Sequence, residues 1–368
     1  MLMFLTQNIA IINILFITKI TVVIKIKKMI AIDGSSLLSS CYFATLPKAV
    51  MYAKTDEERE AHYNEIMHAS DGTYTNGVYA SLKIIRNLIY KYKPDYMIVA
   101  FDMGRNTFRR KLYPKYKAQR GTTQRPLKEQ FVLFQKVLNE MGICTIASTE
   151  YEADDYIASV VKQFESPNLE IKILTKDKDY LQLPSKYTSC WMMQANNKQL
   201  DELYKKHHID KEKSNLPGKI FEFTKDIVKA ETGVWPEQIA ELKAIQGDSS
   251  DNYPGIKGVA SAAVPLLQKY ENIEGIYKVI DSCKTDNERK ELFNLWKKEL
   301  NIKRNPINYL IAETKDDEVI GRQAAALFKT IATMKTDLDL NLTLNDMNCW
   351  WNADIFESIC ERLNITTI

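Results

Sequence analysis

Nine carboxylate residues in five short segments are the side chains of this chain best placed to do chemistry together. They lie in MIAIDGSS (Asp33), IVAFDMG (Asp102), EYEADDY (Glu152, Asp154, Asp155), KILTKDKDY (Asp177, Asp179) and QGDSSDN (Asp248, Asp251). In three segments an apolar run, Ile30–Ile32, Met97–Phe101 or Ile171–Leu174, leads into the acid or reaches it within three residues. Such runs read as buried strands of a doubly wound sheet, and the carboxyl ends of those strands are where such folds place ligands. One acid alone reads as a helix cap, a turn former or a surface charge. Recurrence at several strand exits argues for a shared site. Acids crowded on one rim repel each other and ionise together only around cations. Oxygen-only ligands favour Mg²⁺ or Mn²⁺ over zinc or copper. One ion needs three or four carboxylates, so the set of nine favours two ions, about 4 Å apart, as in two-metal phosphodiester hydrolysis.

A second constellation is basic. Arg105, Arg109, Arg110, Lys111, Lys115, Lys117, Arg120, Arg125 and Lys128 follow one another with no acid between, and Phe108, Tyr113 and Tyr116 are interleaved. Solvated helix faces normally mix charges, whereas unmixed cations with aromatic rings suit a nucleic-acid single strand. A third feature is the turn Gly247-Asp248-Ser249-Ser250-Asp251-Asn252, followed by Pro254-Gly255-Ile256-Lys257-Gly258. Its glycines alone fit an ordinary helix–helix loop. Beside Asp248 and Asp251, its backbone N–H groups are expected to form an anion-binding nest for duplex phosphates.

The elements that must position these residues alternate. A strand at Met29–Ile32 is followed by a polar insertion, Lys54–Ser70, and by a helix with Val78, Leu82, Ile85, Leu88 and Ile89 at helical spacing. Strand YMIVAFD comes next, then a helix over Leu127–Met141, a short strand Ile143–Ile146 and a helix over Glu152–Phe164 with acids in its first turn. This alternation predicts a parallel α/β sheet. From Ile220 onward the pattern reads as helical, so the expected organisation is an α/β catalytic domain at 29–219 and a helical region at 220–368. Residues 1–28 are apolar but broken by Gln7, Asn8, Asn13, Thr18 and Lys19, without a positive n-region or a small-residue cleavage site. They read as a non-core extension rather than a membrane anchor. A net charge of +3 over 368 residues leaves nucleic-acid affinity to local patches. Six cysteines without C-x-x-C spacing read as reduced thiols in the cytoplasm. Four histidines outside the acidic segments argue against a His-based nucleophile or a zinc centre.

The segments IAIDGSSLLSSCYFA, DGTYTNGVYA, PDYMIVAFD, TFRRKLYPKYKAQR, YEADDYIASV, ILTKDKDYLQL and TGVWPEQIAELKAIQGDSSDNYPGIKGV occur in order. Together they resemble the 5′ nuclease (flap endonuclease) superfamily, which includes the 5′–3′ exonuclease domain of bacterial DNA polymerase I and stand-alone phage or bacterial 5′ exonucleases. The resemblance runs from about Met29 to Val264, with a weaker echo in AALFKTIATMKTDLDL. It implies a PIN-like α/β core with a helical arch and a helix-three-turn-helix element. It also implies two Mg²⁺ or Mn²⁺ ions and a K⁺ ion at the turn. Asp33, Asp102, Glu152 and Asp154 match one metal site, and Asp155, Asp177, Asp179, Asp248 and Asp251 match the second and its surroundings. Lys117 matches the family's active-site lysine and Arg109 the arginine of its T-F-R segment. DNA contacts are implied for Arg105, Arg110, Lys111, Tyr113, Lys115, Tyr116 and Arg120, and at the turn for Gly255, Lys257 and Gly258. The implied partner is DNA with a 5′ flap, a nick or a 5′-ended duplex, or an RNA–DNA hybrid, met by a monomer in a bacterial or phage-infected cell. Two departures stand out. Val259-Ala260-Ser261-Ala262-Ala263 lacks the family's second glycine and lysine, and Ser40 replaces an arginine; both remove expected phosphate contacts. A PIN-type ribonuclease would lack the TGVWPEQ…GDSSDN segment, and an inert DNA-binding member would lack the second-site acids.

Overall fold

An unbroken apolar run between two lysines and an aspartate gives the central strand, β1 (Lys27–Asp33), and its residues from Met29 to Asp33 are buried. The computed structural model describes residues 25–214, 216–313 and 318–365. β1 pairs in parallel with β2 (Tyr96–Asp102) on one side and, across the chain, with β4 (Leu169–Thr175) on the other; Ile32 is level with both Val99 and Leu174. With β3 (Cys144–Ser148), β5 (Thr188–Met193) and β6 (Ile220–Phe223) the sheet order is β3-β2-β1-β4-β5-β6. The order reverses between β1 and β4, the switch point where a doubly wound sheet opens a crevice at its carboxyl edge.

Alternation sets the layers. Ile30 and Ile32 point into one core with Val99, Phe101 and Leu174, while Met29 and Ala31 point into the other with Ile98, Ile171 and Ile173. Burying each branched aliphatic side chain contributes about 1.5–3 kcal/mol. The first face is covered by α1 (Gly34–Ala44), α2 (Asn76–Tyr92) and α4 (Arg125–Glu140), with α3 (Phe108–Leu112) lying between α2 and α4 in the chain. The second is covered by α5 (Ala153–Phe164), α6 (Ile239–Gln246) and α7 (Gly321–Ala332). Gly34 starts α1 where a Cβ would lie 2.6 Å from the Phe101 ring, so only glycine lets the chain leave β1 so close to β2.

Several expectations need correction. β6 extends the sheet at its edge, antiparallel to β5, so the helical region starts after Phe223 rather than at Ile220. Lys27 and Lys28, assigned to the extension, already pair with Leu169 and Glu170. Residues 1–24 of that extension lie outside the described residues, and among the described residues no helix is long and apolar enough to cross a membrane. The insertion at Lys54–Ser70 is anchored by Tyr63 and Ile66, both buried in the first core. The helix Ala353–Arg362 returns to that same core through Phe356 and Ile359, so the C-terminal region covers both faces of the sheet.

The start of β1 is tied by Lys27 N–H to Asn168 O at 2.8 Å, and by Lys28 N–H and Lys27 Nζ to the Asp95 carboxylate at 3.0 and 2.7 Å. A chain beginning at Met29 should therefore unfold at a lower urea concentration than one beginning at Lys27. Equal denaturation midpoints would show that those two residues carry no stability.

Candidate active site

Each acid sits where its strand or helix ends. Asp33 ends β1 and caps α1 by accepting from Ser36 N–H at 2.9 Å, while the Thr175 hydroxyl donates to its other oxygen at 3.0 Å. The same hydroxyl accepts from Asp177 N–H at 3.0 Å, so one threonine at the end of β4 ties two acids together. Asp102 ends β2 and accepts from Ala153 N–H, 2.9 Å, at the first turn of α5. Glu152 precedes α5 and shares a capping box with Asp155. Asp179 follows Asp177 on a short turn, and Asp248 opens the turn after α6, where Ser250 N–H donates to it at 2.8 Å.

These exits open into one cleft of about 1450 Å³, lined by Asp33, Asp102, Glu152, Asp154, Asp177, Asp179 and Asp248. Arg105, Arg110, Lys117, Arg120, Lys128 and Lys243 line it as well. The acids share the cleft without meeting at a point: among the described residues no three acidic, His or Cys side chains stand in metal-holding geometry. Ammonium groups lie between them. Lys117 Nζ donates to Glu152 at 2.7 Å and lies 3.7 Å from Asp251. Lys243 Nζ bridges Asp179 and Asp248, the latter at 2.7 Å.

The electrostatics divide the acids into two groups. Burial raises Glu152, but Lys117 and Arg109 outweigh it and hold the carboxyl down at about 2. Asp248 is likewise held at about 2, with burial offset by Lys243 and Ser250. Asp33 has no cation beside it among the described residues: burial, then the charge of Asp102, pushes it up to about 7. Burial, then Asp155 and Glu152, pushes Asp154 well above the carboxylate range despite Arg109. An oxygen-only donor set whose buried members lack a full counter-charge fits a hard divalent cation.

The basic segment is docked rather than free. Asn252 Nδ2 donates to Lys115 O at 2.7 Å, Lys117 N–H to Asp251 O at 3.0 Å, and Arg120 to the Asp251 carboxylate at 2.9 Å. Lys117 itself holds a left-handed backbone, φ 51°, a conformation that costs a non-glycine residue about 1 kcal/mol or more and that these contacts hold in place.

Some expected roles fail on burial. Arg109 is 1% exposed and spends its guanidinium on Asp155, with two bonds of 2.7 Å, and on Ile331 O at 2.8 Å; it does not reach the cleft. Asp155 is fully buried in that pair and is not positioned as a metal ligand. Tyr116 is buried with its hydroxyl donating to Glu152 at 3.1 Å, so its ring is not free to stack on a base, while half-buried Tyr113 packs edge-on against Phe328. Gly255 is buried against Gly247, where a Cβ would lie 2.2 Å from the Gly247 nitrogen; its role is to let two chain segments touch, not to meet a phosphate. Of the three alanines at that departure, Ala262 and Ala263 are also buried and Ala260 faces solvent. Arg105, Lys111, Lys115, Arg120, Lys257 and Gly258 are exposed, and Arg110 is half-buried in the cleft wall. Asp251 turns its carboxylate toward Lys117 and Arg120. Sequence reasoning missed Thr107, which donates to Glu152 at 3.0 Å, as well as Thr175, Asn252 and Lys243. Lys243 alone carried a signal: it lies five residues before Asp248, on the last turn of the helix leading to it.

Breaking a buried ion pair from one side costs about 3–5 kcal/mol, so Asp155→Asn should destabilise the fold by that amount in urea denaturation at neutral pH. Asp154→Asn removes an incompletely compensated charge and should leave stability level or higher. Equal losses in both would mean that Arg109 does not discriminate between the neighbouring acids.

Residues 28–213 match the family model for the 5′-3′ exonuclease N-terminal resolvase-like domain, and residues 234–352 match that for the 5′-3′ exonuclease C-terminal SAM fold. A 5′-3′ exonuclease of Bacillus subtilis (strain 168) is 32% identical over 248 residues, covering 67% of this chain and 72% of that protein. DNA polymerase I of Streptococcus pneumoniae (strain R6) is 30% identical over 322 residues, 87% of this chain; the chain spans about 30% of that polymerase's length. Among solved structures, T5 5′-exonuclease with divalent zinc bound has TM-score 0.51 at 18% identity, covering 91% of this chain and 99% of that one. The catalytic core of Rad2 in complex with DNA substrate has TM-score 0.52 at 14% identity, covering 93% and 89%. The two solved structures show the shared fold, and the family models together with the exonuclease relative show that this chain belongs to the 5′-3′ exonuclease family.

Proposed function

We propose that this chain is a metal-dependent, structure-specific 5′ nuclease that hydrolyses phosphodiesters at 5′ flaps or 5′ ends of DNA, and of RNA primers, in replication or repair. The observation that carries this reading is the cleft itself: carboxylates from five separate chain segments line it together with lysines and arginines. A T5 relative in fold that holds divalent zinc and a Rad2 core that holds DNA support the same reading. The segment that separates a flap nuclease from a PIN-type ribonuclease is present as α6 and its turn, and three of the acids an inert member would lack, Asp177, Asp179 and Asp248, line the cleft.

Asp33, Asp102, Glu152 and Asp154 would hold one Mg²⁺ or Mn²⁺ ion, and Asp177, Asp179 and Asp248 a second, with a K⁺ ion at the Pro254–Gly258 turn as the resemblance implies. Bound divalent ions supply an activated water and stabilise charge on the attacking and leaving oxygens. The residues of the chain do the rest. Lys117, held by Glu152 at the lip of the cleft, places a positive charge for the scissile phosphate. Arg110, Arg120 and Lys128 on the cleft wall, with exposed Lys111 and Lys115 beyond it, follow the sugar-phosphate backbone. Exposed Lys257 stands at the turn for the duplex. The activity is tested by incubating the chain with 5′-flap, nicked and single-stranded substrates in Mg²⁺ and in EDTA. Cleavage of the flap only in Mg²⁺ is the expected result, and cleavage that survives EDTA overturns it.

Losing one charge donor at a reacting phosphate costs about 10²–10³ in rate. Lys117→Ala should slow single-turnover cleavage by that factor at saturating enzyme while DNA binding stays nearly level. A normal rate with weak binding would reduce Lys117 to a phosphate contact.

Asp33→Asn should abolish cleavage yet raise the melting temperature in EDTA at pH 8. Its folded-state pKa is raised to about 7, so its favourable contribution is complete below the unfolded value near 4 and is lost as pH rises through 7. The advantage of the asparagine should therefore shrink to nothing as pH falls toward 4. A difference independent of pH would show that Asp33 is not the strained acid.

A further inference from the structure

Lys243 stands on the last turn of α6, and its ammonium bridges two acids from different parts of the chain: Asp179, after β4, and Asp248, after α6, at 2.7 Å. Both acids line the cleft and belong to the second cation site proposed above. The side chain of Lys243 is 18% exposed, and those of Asp179 and Asp248 are 16% and 13% exposed, so water screens the bridge only in part. The backbone N–H groups that Asp248 accepts from belong to its own turn, at Ser250 and Asp251, so the link from this acid to Asp179 runs through the lysine.

We infer that Lys243 is a built-in stand-in for the second divalent cation: it joins Asp179 to Asp248 when no metal is bound and must leave them before metal binds there. This rests on the nuclease reading of the cleft. A divalent ion between the same oxygens puts two positive charges where the ammonium holds one, so the two cannot share the position. The lysine therefore lowers the apparent affinity of the second site by the fraction of time that the bridge is broken. In return it neutralises acids that would otherwise repel each other in the metal-free chain. The first site has no such competitor at Asp33, whose two oxygens accept from Ser36 and Thr175.

The test uses the full chain without DNA. Mn²⁺ is titrated by calorimetry into wild type, Lys243→Met and Lys243→Arg, and melting is followed in EDTA and in Mn²⁺. If the bridge holds nine-tenths of the time, Lys243→Met should bind the weaker Mn²⁺ about 10-fold more tightly, with the tighter Mn²⁺ unchanged. The same variant should melt lower in EDTA and recover most of the loss in Mn²⁺, and Lys243→Arg should behave as wild type. A second measurement needs no variant: amine labelling of the wild-type chain, read by mass spectrometry, should modify Lys243 several-fold faster in Mn²⁺ than in EDTA. Unchanged weak-site affinity in the methionine variant, or unchanged labelling while Mn²⁺ binds, overturns the stand-in role and leaves the nuclease reading intact. Failure of wild type to bind Mn²⁺ at all overturns both.

Discussion

Repulsion among acids at the carboxyl edge of one sheet is the constraint to which the rest of this structure answers. Parallel strands β1, β2 and β4 bring Asp33, Asp102 and Asp177 to that edge because each is the residue at, or just beyond, the end of a buried apolar run. Nothing in a sheet neutralises such a row. The chain meets the repulsion with cations from elsewhere: Arg109 beneath α5, Lys117 from the basic segment and Lys243 from α6. Where a cation arrives, as at Glu152 and Asp248, the acid stays ionised well below neutrality. Where none does, as at Asp33, the carboxyl is pushed up to about 7.

The strands that end in acids were legible from sequence, because a short apolar run that stops at a charge fits a folded chain best as a strand leaving the core. β5 and β6 were not: TSCWMM and IFEF are short, and their place is set by pairing with β4 and with each other rather than by a pattern of their own. Asp154 and Asp155 show the limit more sharply. They are neighbours of identical chemistry, yet one step around a helix turns a side chain by about 100°. That step sends Asp154 to the cleft and Asp155 into the Arg109 pair beneath it. One interleaved aromatic misled for a related reason: Tyr116 alternates with cations in the sequence, but the turn-rich chain folds its ring inward. Contacts such as that between Asn252 and Lys115, 137 residues apart, leave no local trace at all.

The Arg109 clamp also carries information about time. Its guanidinium reaches backbone oxygens of Ile331 and Thr333, at sequence separations of 222 and 224 residues. A nascent chain synthesised from its N-terminus acquires every acid of the cleft by Asp248, long before the end of α7 exists. Until then Asp155 and its arginine lack these backbone anchors, although the capping box and Asp102 already hold the first turn of α5. The Arg109–Asp155 pair beside the site is thus completed only once the end of α7 has been made.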